Sequence, residues 1–337
     1  MRPARLLAIA FSLLLACTLV DAPAAHAVLT ESTDSSINRS RVFKAYQRDS
    51  GTIFEVNFTT VIPNEKRQIG GRLDISMPAS ASDDVLVGTY TIYCAPAGSN
   101  AGNNKILGSQ NVLRGKSMSF RPRYIFTATV PGNYHCWMRL VSGRPRPSGV
   151  RTSSNIFTVG SKSYLRATAP ASPAADHGFT PTSPSKVLSG GSAYDAAVLE
   201  WHAPPIDDSV AVTGDAWLTS CTAVEGSTDP VTGNRLCEGK VNKSGSRVLT
   251  RVVVAQRETV GSGYCRVTTV RARTTYISKD VHHRMIFASG SVPISTAPEC
   301  SRSFRIKVYV KHVGGSAVVI HNQGTISTLL PRGFLNG

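Results

Sequence analysis

The stretch Val130 to Leu140, VPGNYHCWMRL, decides the fold. It opens on a Pro-Gly corner and then alternates apolar and polar residues. Strand side chains point to opposite faces with a period of two, so Tyr134, Cys136, Met138 and Leu140 fall on one face and His135, Trp137 and Arg139 on the other. That pattern predicts a half-buried strand with its cysteine turned inward. Similar short runs recur between turn signals: Thr52 to Thr60, Gly88 to Cys94, Tyr124 to Val130 and Ser154 to Val159. The second half adds Ala196 to His202, Ala216 to Thr222, Arg247 to Gln256, Tyr264 to Arg273, His283 to Ala288 and Phe304 to Lys311. Helix-period stripes are absent, and the expected fold class is all-β, built as sandwiches.

The chain begins with two arginines, an apolar run from Leu6 to about Val20, and Ala25-His26-Ala27. This is the layout of a secretory signal peptide over residues 1–27. Leu14-Leu15-Ala16-Cys17 also loosely matches the box at which bacterial lipoproteins are lipidated, which leaves anchoring through Cys17 as an alternative. Of seven cysteines, setting aside Cys17 leaves Cys94, Cys136, Cys221, Cys237, Cys265 and Cys300. An even set in an exported chain reads as three disulfides. No later segment reaches the roughly 18 to 20 apolar residues of a membrane-spanning helix, so the expectation is a secreted, extracellular protein, with association to the cell surface as the alternative. Asn38, Asn57 and Asn242 head Asn-x-Ser/Thr triplets, which accept glycans only in a eukaryotic host.

Removing 27 of 337 residues leaves more chain than one sandwich uses, so two domains are expected. The stretch RATAPASPAADHGFTPTSPS, Arg166 to Ser185, is rich in Pro, Ala and Ser and reads as a linker. It separates a domain over 28–165 from one over 186–337. The halves look like a diverged repeat. LDISMPASASDDVLVGTYTIYC ends at Cys94 and LEWHAPPIDDSVAVTGDAWLTSC at Cys221, each with an Asp-Asp pair, Asp83-Asp84 and Asp207-Asp208. The next matching cysteines, Cys136 and Cys265, follow at similar distances, each after a Gly-containing corner and a Tyr. The repeat therefore pairs Cys94 with Cys136 and Cys221 with Cys265, and parity leaves Cys237 with Cys300. Four cysteines in one domain otherwise permit three connectivities.

At PGNYHC the sequence resembles the immunoglobulin-like sandwich. The resemblance implies that Tyr134 closes a corner by hydrogen-bonding back to the main chain, and that Cys136 takes part in a bridge between the two sheets. It further implies tandem immunoglobulin-like or fibronectin-III-like domains, with Trp217 packed on the disulfide of the second. Tyr264 sits one residue before Cys265 rather than two, so the second corner departs from the pattern.

Thirty-seven Lys and Arg against 21 Asp and Glu give a formal charge of +16. The excess is concentrated, because no Asp or Glu occurs from Val85 to Ala175. RGKSMSFRPRY supplies Arg114, Lys116, Arg121 and Arg123, and RPRPSGVR supplies Arg144, Arg146 and Arg151. Clustered cations attract phosphate- or carboxylate-bearing polymers. An outward Trp137 beside Arg139 would add an aromatic platform. These residues make a candidate surface for an anionic polysaccharide or other polyanion of the cell envelope or matrix. The alternatives are a structural or protein–protein interaction module of the cell surface, and a hydrolase with an unrecognised site. Oligomeric state leaves no sequence signal.

SFRIKVYVKHVGGSAVVIH, Ser303 to His321, reads as a hairpin around Gly314-Gly315, with Arg305, Lys307, Tyr309 and Lys311 opposite an apolar row. Lysines in such a row commonly guard an edge strand against aggregation. The Asp-Asp pairs read as turn formers and not as calcium ligands. His282-His283, with His312 or His321, lacks metal-ligand spacing. No nucleophile elbow, metalloprotease helix or phosphate-cradling loop occurs, and the mature cysteines are committed to disulfides. The chain is expected to use no cofactor and no metal, and not to be an enzyme.

Overall fold

The alternating runs become strands. A computed structural model of the chain describes residues 35–36, 41–44, 52–81, 83–99, 104–143, 156–179, 185–222, 234–321, 324–325, 328–329 and 333–336. The leader with Cys17, the basic loop with Arg144, Arg146 and Arg151, and Asn38 lie outside the described residues. Among the described residues there is no helix, and hence none long and apolar enough to cross a membrane.

The first sandwich begins with β1 (Ser35–Ser36), β2 (Arg41–Lys44), β3 (Thr52–Thr60) and β4 (Glu65–Ser76). It continues through β5 (Val85–Pro96), β6 (Asn104–Leu113), β7 (Ser117–Phe120) and β8 (Arg123–Ala128). It ends with β9 (Gly132–Gly143), β10 (Ile156–Val159) and β11 (Tyr164–Thr168). One sheet has the order β3-β9-β5-β6; the other runs β1-β11-β4-β10-β2, with β7 and β8 also paired to β4. Phe54, Val56, Ile92, Cys136 and Met138 from the first sheet meet Ile69, Leu73, Phe120 and Phe157 from the second in one core. β4 serves two sets of neighbours, β11 and β8 along its first half and β10 and β7 along its second. The changeover falls near Gly70-Gly71, where a Cβ on Gly71 would lie 2.4 Å from the Tyr164 carbonyl oxygen.

Within VPGNYHCWMRL the predicted alternation holds for Tyr134, Cys136, Met138 and Leu140, all buried. The Tyr134 hydroxyl donates to the Val130 carbonyl at 2.7 Å, which is the corner that the resemblance implies. The disulfide is another matter. Cys94 and Cys136 are bonded, but they are directly opposed on the adjacent strands β5 and β9. The bridge therefore staples neighbours in one sheet and does not cross the core as in an antibody domain.

The second sandwich comprises β12 (His177–Phe179), β13 (Lys186–Leu188), β14 (Ala193–His202) and β15 (Ser209–Ser220). Then come β16 (Ser246–Glu258), β17 (Tyr264–Ile277), β18 (His283–Pro293) and β19 (Cys300–Gly315). Short pieces close it: β20 (Val318–Ile320), β21 (Gly324–Thr325), β22 (Thr328–Leu329) and β23 (Gly333–Asn336). Its sheets are β14-β19-β16-β17 and β12-β23-β15-β20-β13, with β18 on the free side of β15 and β21-β22 a separate ribbon.

Four expectations fail here. The cysteines join as Cys221–Cys237 and Cys265–Cys300. β17 and β19 flank the same end of β16, with Tyr264 opposite Arg257 and Cys300 opposite Glu258, so Cys265 reaches Cys300, whereas Cys221 directly follows β15 of the other sheet. Trp217 accordingly lies against His321, with rings 4.8 Å apart, and not on the disulfide of a repeat. Ser303 to His321 is no hairpin, because β19 pairs with β14 and β16 while β20 pairs with β13 and β15. The glycines carry the chain from one sheet to the other, Gly315 with φ of +81°. β19 is thus a central strand, and its cations are not edge guards: Arg305 pairs with Glu200 at 3.1 Å and Lys307 with Asp195 at 3.2 Å.

The segment read as a linker is woven into the fold. Its start belongs to β11 and its middle to β12, which pairs with β23. Between them, Lys66 Nζ of the first sandwich donates to the Ala175 carbonyl at 2.7 Å, and Trp201 Nε1 of the second to the Ala174 carbonyl at 2.8 Å.

Candidate anion-binding surface and the sandwich junction

The acid-free stretch is not acid-free in space. Arg114, in the turn after β6, pairs with Asp84 at 2.8 Å. Arg123, at the start of β8, reaches into the second sandwich and bonds Asp215 Oδ1 at 3.0 Å, with both side chains largely buried. Its guanidinium also lies 5.2 Å from the Phe287 ring centroid. Asp215 and Phe287 are cross-strand partners on β15 and β18, so one arginine engages both members of a pair. Burial raises the Asp215 pKa to about 6 although Arg123 pulls it down.

Trp137 also proves to be a packing residue. It is 9 % exposed, and its indole stacks on Tyr93 at 5.3 Å and on His135 at 4.7 Å. The aromatic platform is already occupied by its own neighbours. Arg139, two residues on, is half-buried and engaged by other groups of the protein. Of the predicted cations that are described, Lys116 and Arg121 are the exposed pair without a carboxylate partner among the described residues.

Arg121 precedes Pro122 in the loop between β7 and β8 and borders two clefts. One, of about 300 Å³, is lined by Gly70, Gly71, Pro122, Arg123 and Arg166. The other, of about 180 Å³, lies between the sandwiches and adds Arg273 of β17 and Arg284 of β18. These last two lie outside the region that charge counting highlights. Only β17 itself hinted at them: Tyr264 to Ile277 carries Arg266, Arg271 and Arg273 and no carboxylate.

The junction is polar as well as packed. β18 pairs with β15 on one side, and side chains of β6 meet main-chain groups of β18: Asn111 Oδ1 accepts from the His283 amide at 2.5 Å and Gln110 Oε1 from the Met285 amide at 3.3 Å. The Met285 side chain enters the first core, with its sulfur 3.9 Å from the Tyr90 hydroxyl. Gly108 makes room for it, since a Cβ there would lie 2.3 Å from that sulfur. Beside this contact, the Thr219 hydroxyl bonds His283 Nδ1 at 2.5 Å and His321 Nε2. The His282 and His283 rings are 4.4 Å apart. Burial, then the neighbouring imidazoles His282 and His321, hold His283 well below the usual histidine range. Among the described residues, no group of three His, Cys, Asp or Glu is placed to hold a metal ion.

No protein-family model matches the chain, and no curated protein matches it. Among solved structures it is similar to the tandem CBM22-1-CBM22-2 domain of Paenibacillus barcinonensis Xyn10C, at 10 % identity, with a TM-score of 0.22, over 86 % of this chain and 95 % of that one. A structure of infectious bursal disease virus Gx strain aligns at 13 % identity and a TM-score of 0.26, over 92 % of this chain and 76 % of that one. A putative secreted protein from Parabacteroides distasonis aligns at 8 % and 0.17, over 90 % and 87 %. The tandem-sandwich architecture is read from the sheets of the chain itself.

Proposed function

We propose that the chain is an exported, disulfide-stabilised binding protein that holds an anionic polymer of the cell envelope or matrix through the basic face of its first sandwich, and that it has no catalytic role. The observation that carries this reading is Arg121: an exposed cation without a carboxylate partner among the described residues, on the rim of two clefts that are each lined by further arginines. Lys116, exposed in the preceding turn, is the other cation of this stretch without a carboxylate partner among the described residues. Arg123 and Trp137 hold the fold together and are left out of the contact surface; Arg114 contributes only through a pair it shares with Asp84. All six cysteines from Cys94 onward are bonded in pairs, which suits an oxidising compartment and removes a thiol nucleophile.

The test is retention on immobilised dextran sulfate and on neutral dextran across a salt series. The parent is expected to bind the sulfated support, with log affinity falling linearly in log salt, and to ignore the neutral one. Each cation withdrawn from contact lowers that slope by roughly 0.7 to 0.9. The double variant Lys116→Ser/Arg121→Ser should therefore lose most of the retention and flatten the slope by about 1.5. Equal retention on both supports, or an unchanged slope in the variant, would sink the reading.

A further inference from the structure

The cleft between the sandwiches holds an arrangement that polymer contact alone does not require. Arg121 enters from the first sandwich, and Arg273 and Arg284 from the second, around one space of about 180 Å³. Among the described residues none of the three has a carboxylate partner; Arg284 instead donates Nη1 to the Tyr276 carbonyl at 3.0 Å. Asp215 also lines the cleft, but its charge is matched by Arg123. Phe120, Met285 and Phe287 supply apolar wall. Arg284 is half-buried, and burial together with the charge of Arg273 holds its pKa below the usual arginine range. Three cations have thus been brought to one cleft with no carboxylate paired to any of them, the one carboxylate in its lining, Asp215, being taken by Arg123.

The guanidinium is a planar fork that matches the oxygens of carboxylates and phosphates two at a time. The space falls below the roughly 300 to 1,000 Å³ of drug-sized ligand pockets, which suits one charged group on a small carrier. We propose that the junction cleft binds a single tetrahedral oxyanion, a sulfate or phosphate ester of a sugar, between Arg121 on one side and Arg273 and Arg284 on the other. The inference rests on the polyanion reading and narrows it to an ester group. It adds that the ligand ties the two sandwiches together, so that binding stabilises the native state.

The disulfide-bonded chain would be titrated calorimetrically with glucose 6-sulfate, glucose 6-phosphate and glucose at constant ionic strength. At least one ester should bind and raise the melting temperature while glucose does neither; the tighter ester identifies which of the two the site prefers. Arg121→Gln and Arg273→Gln should each weaken that ester roughly tenfold. Arg121→Lys keeps the charge but loses the fork, so ester affinity should fall while retention on dextran sulfate persists. If the esters bind no better than glucose, or bind Arg121→Gln and Arg273→Gln as they bind the parent, the site is disproved. Dextran sulfate then separates the two ideas: retention without ester binding removes the cleft and keeps the polyanion reading, and loss of both removes both.

Discussion

Arg123 of the first sandwich and Asp215 of the second are joined at 3.0 Å across the junction, with side chains 14 % and 9 % exposed. The contact ties a loop-proximal arginine, which charge counting assigns to a binding surface, to a buried carboxylate. Removing one partner of a buried pair costs about 3 to 5 kcal/mol because the other charge stays buried, whereas replacing both by apolar groups is often near neutral. Asp215→Ala is therefore expected to lower unfolding free energy by about 3 kcal/mol, and Arg123→Leu/Asp215→Leu by less than either single change. Urea unfolding of the singles and the double is the check; additive losses would show that the two groups act independently.

The pH dependence of the junction follows from two groups with opposite signs. Asp215 has its folded pKa raised from 3.8 to about 6, so it binds its proton more tightly folded than unfolded. Its contribution is fully present below pH 3.8 and is lost as pH rises through about 6. At about 1.4 kcal/mol per pKa unit the swing approaches 3 kcal/mol. His283 is depressed well below 6.5, and its contribution is present above 6.5 and lost as pH falls. The stability of Asp215→Asn relative to the parent should therefore improve by about 2 kcal/mol from pH 4 to pH 7. His283→Gln should instead gain on the parent as pH drops below 6.5. Urea midpoints across pH 4 to 7.5 measure both, and parallel curves for parent and variants would contradict the assignment.

The cysteine connectivity gives a sharp chemical test. A digest under non-reducing conditions should yield Cys221 linked to Cys237 and Cys265 linked to Cys300, and no peptide joining Cys221 to Cys265. In the chain-entropy model the bridges closing 42 and 35 residues are each worth about 4 kcal/mol, and the one closing 16 about 3 kcal/mol. Replacing each pair by alanines should follow that order, with Cys221→Ala/Cys237→Ala the mildest.

The strands were legible wherever one face is buried and the other wet, because period-two alternation is then written directly into the residues; Thr52–Thr60 is recovered to the residue. β4 was not, since EKRQIGGRLDIS puts charges at half-buried positions and two glycines at its changeover of partners. Its Arg67 is buried through a pair with Glu65 and a 2.9 Å bond to the Thr59 carbonyl, neither of which has a linear signature. Cysteine spacing misled for a related reason: equal intervals fix loop length, whereas a disulfide needs two Cβ atoms about 3.8 Å apart. The site suffered most. Carboxylates from outside the acid-free stretch, Asp84 and Asp215, neutralise two of its arginines, and Arg273 and Arg284 join Arg121 from more than 150 residues away in the chain.

Trp137 separates packing from binding. Its place on the polar side of VPGNYHCWMRL suggests a platform, but the indole is buried against Tyr93 and His135. Truncating a buried tryptophan typically costs about 3 to 5 kcal/mol. Trp137→Ala should thus lower the unfolding free energy by about 3 kcal/mol yet retain the affinity of the parent for dextran sulfate at a temperature where both are folded. Lys116→Ser/Arg121→Ser should do the reverse, changing stability by less than about 0.5 kcal/mol, as exposed substitutions usually do, while losing retention. A Trp137→Ala chain that stays as stable as the parent and loses retention would return the indole to the contact surface and displace Arg121 from its centre.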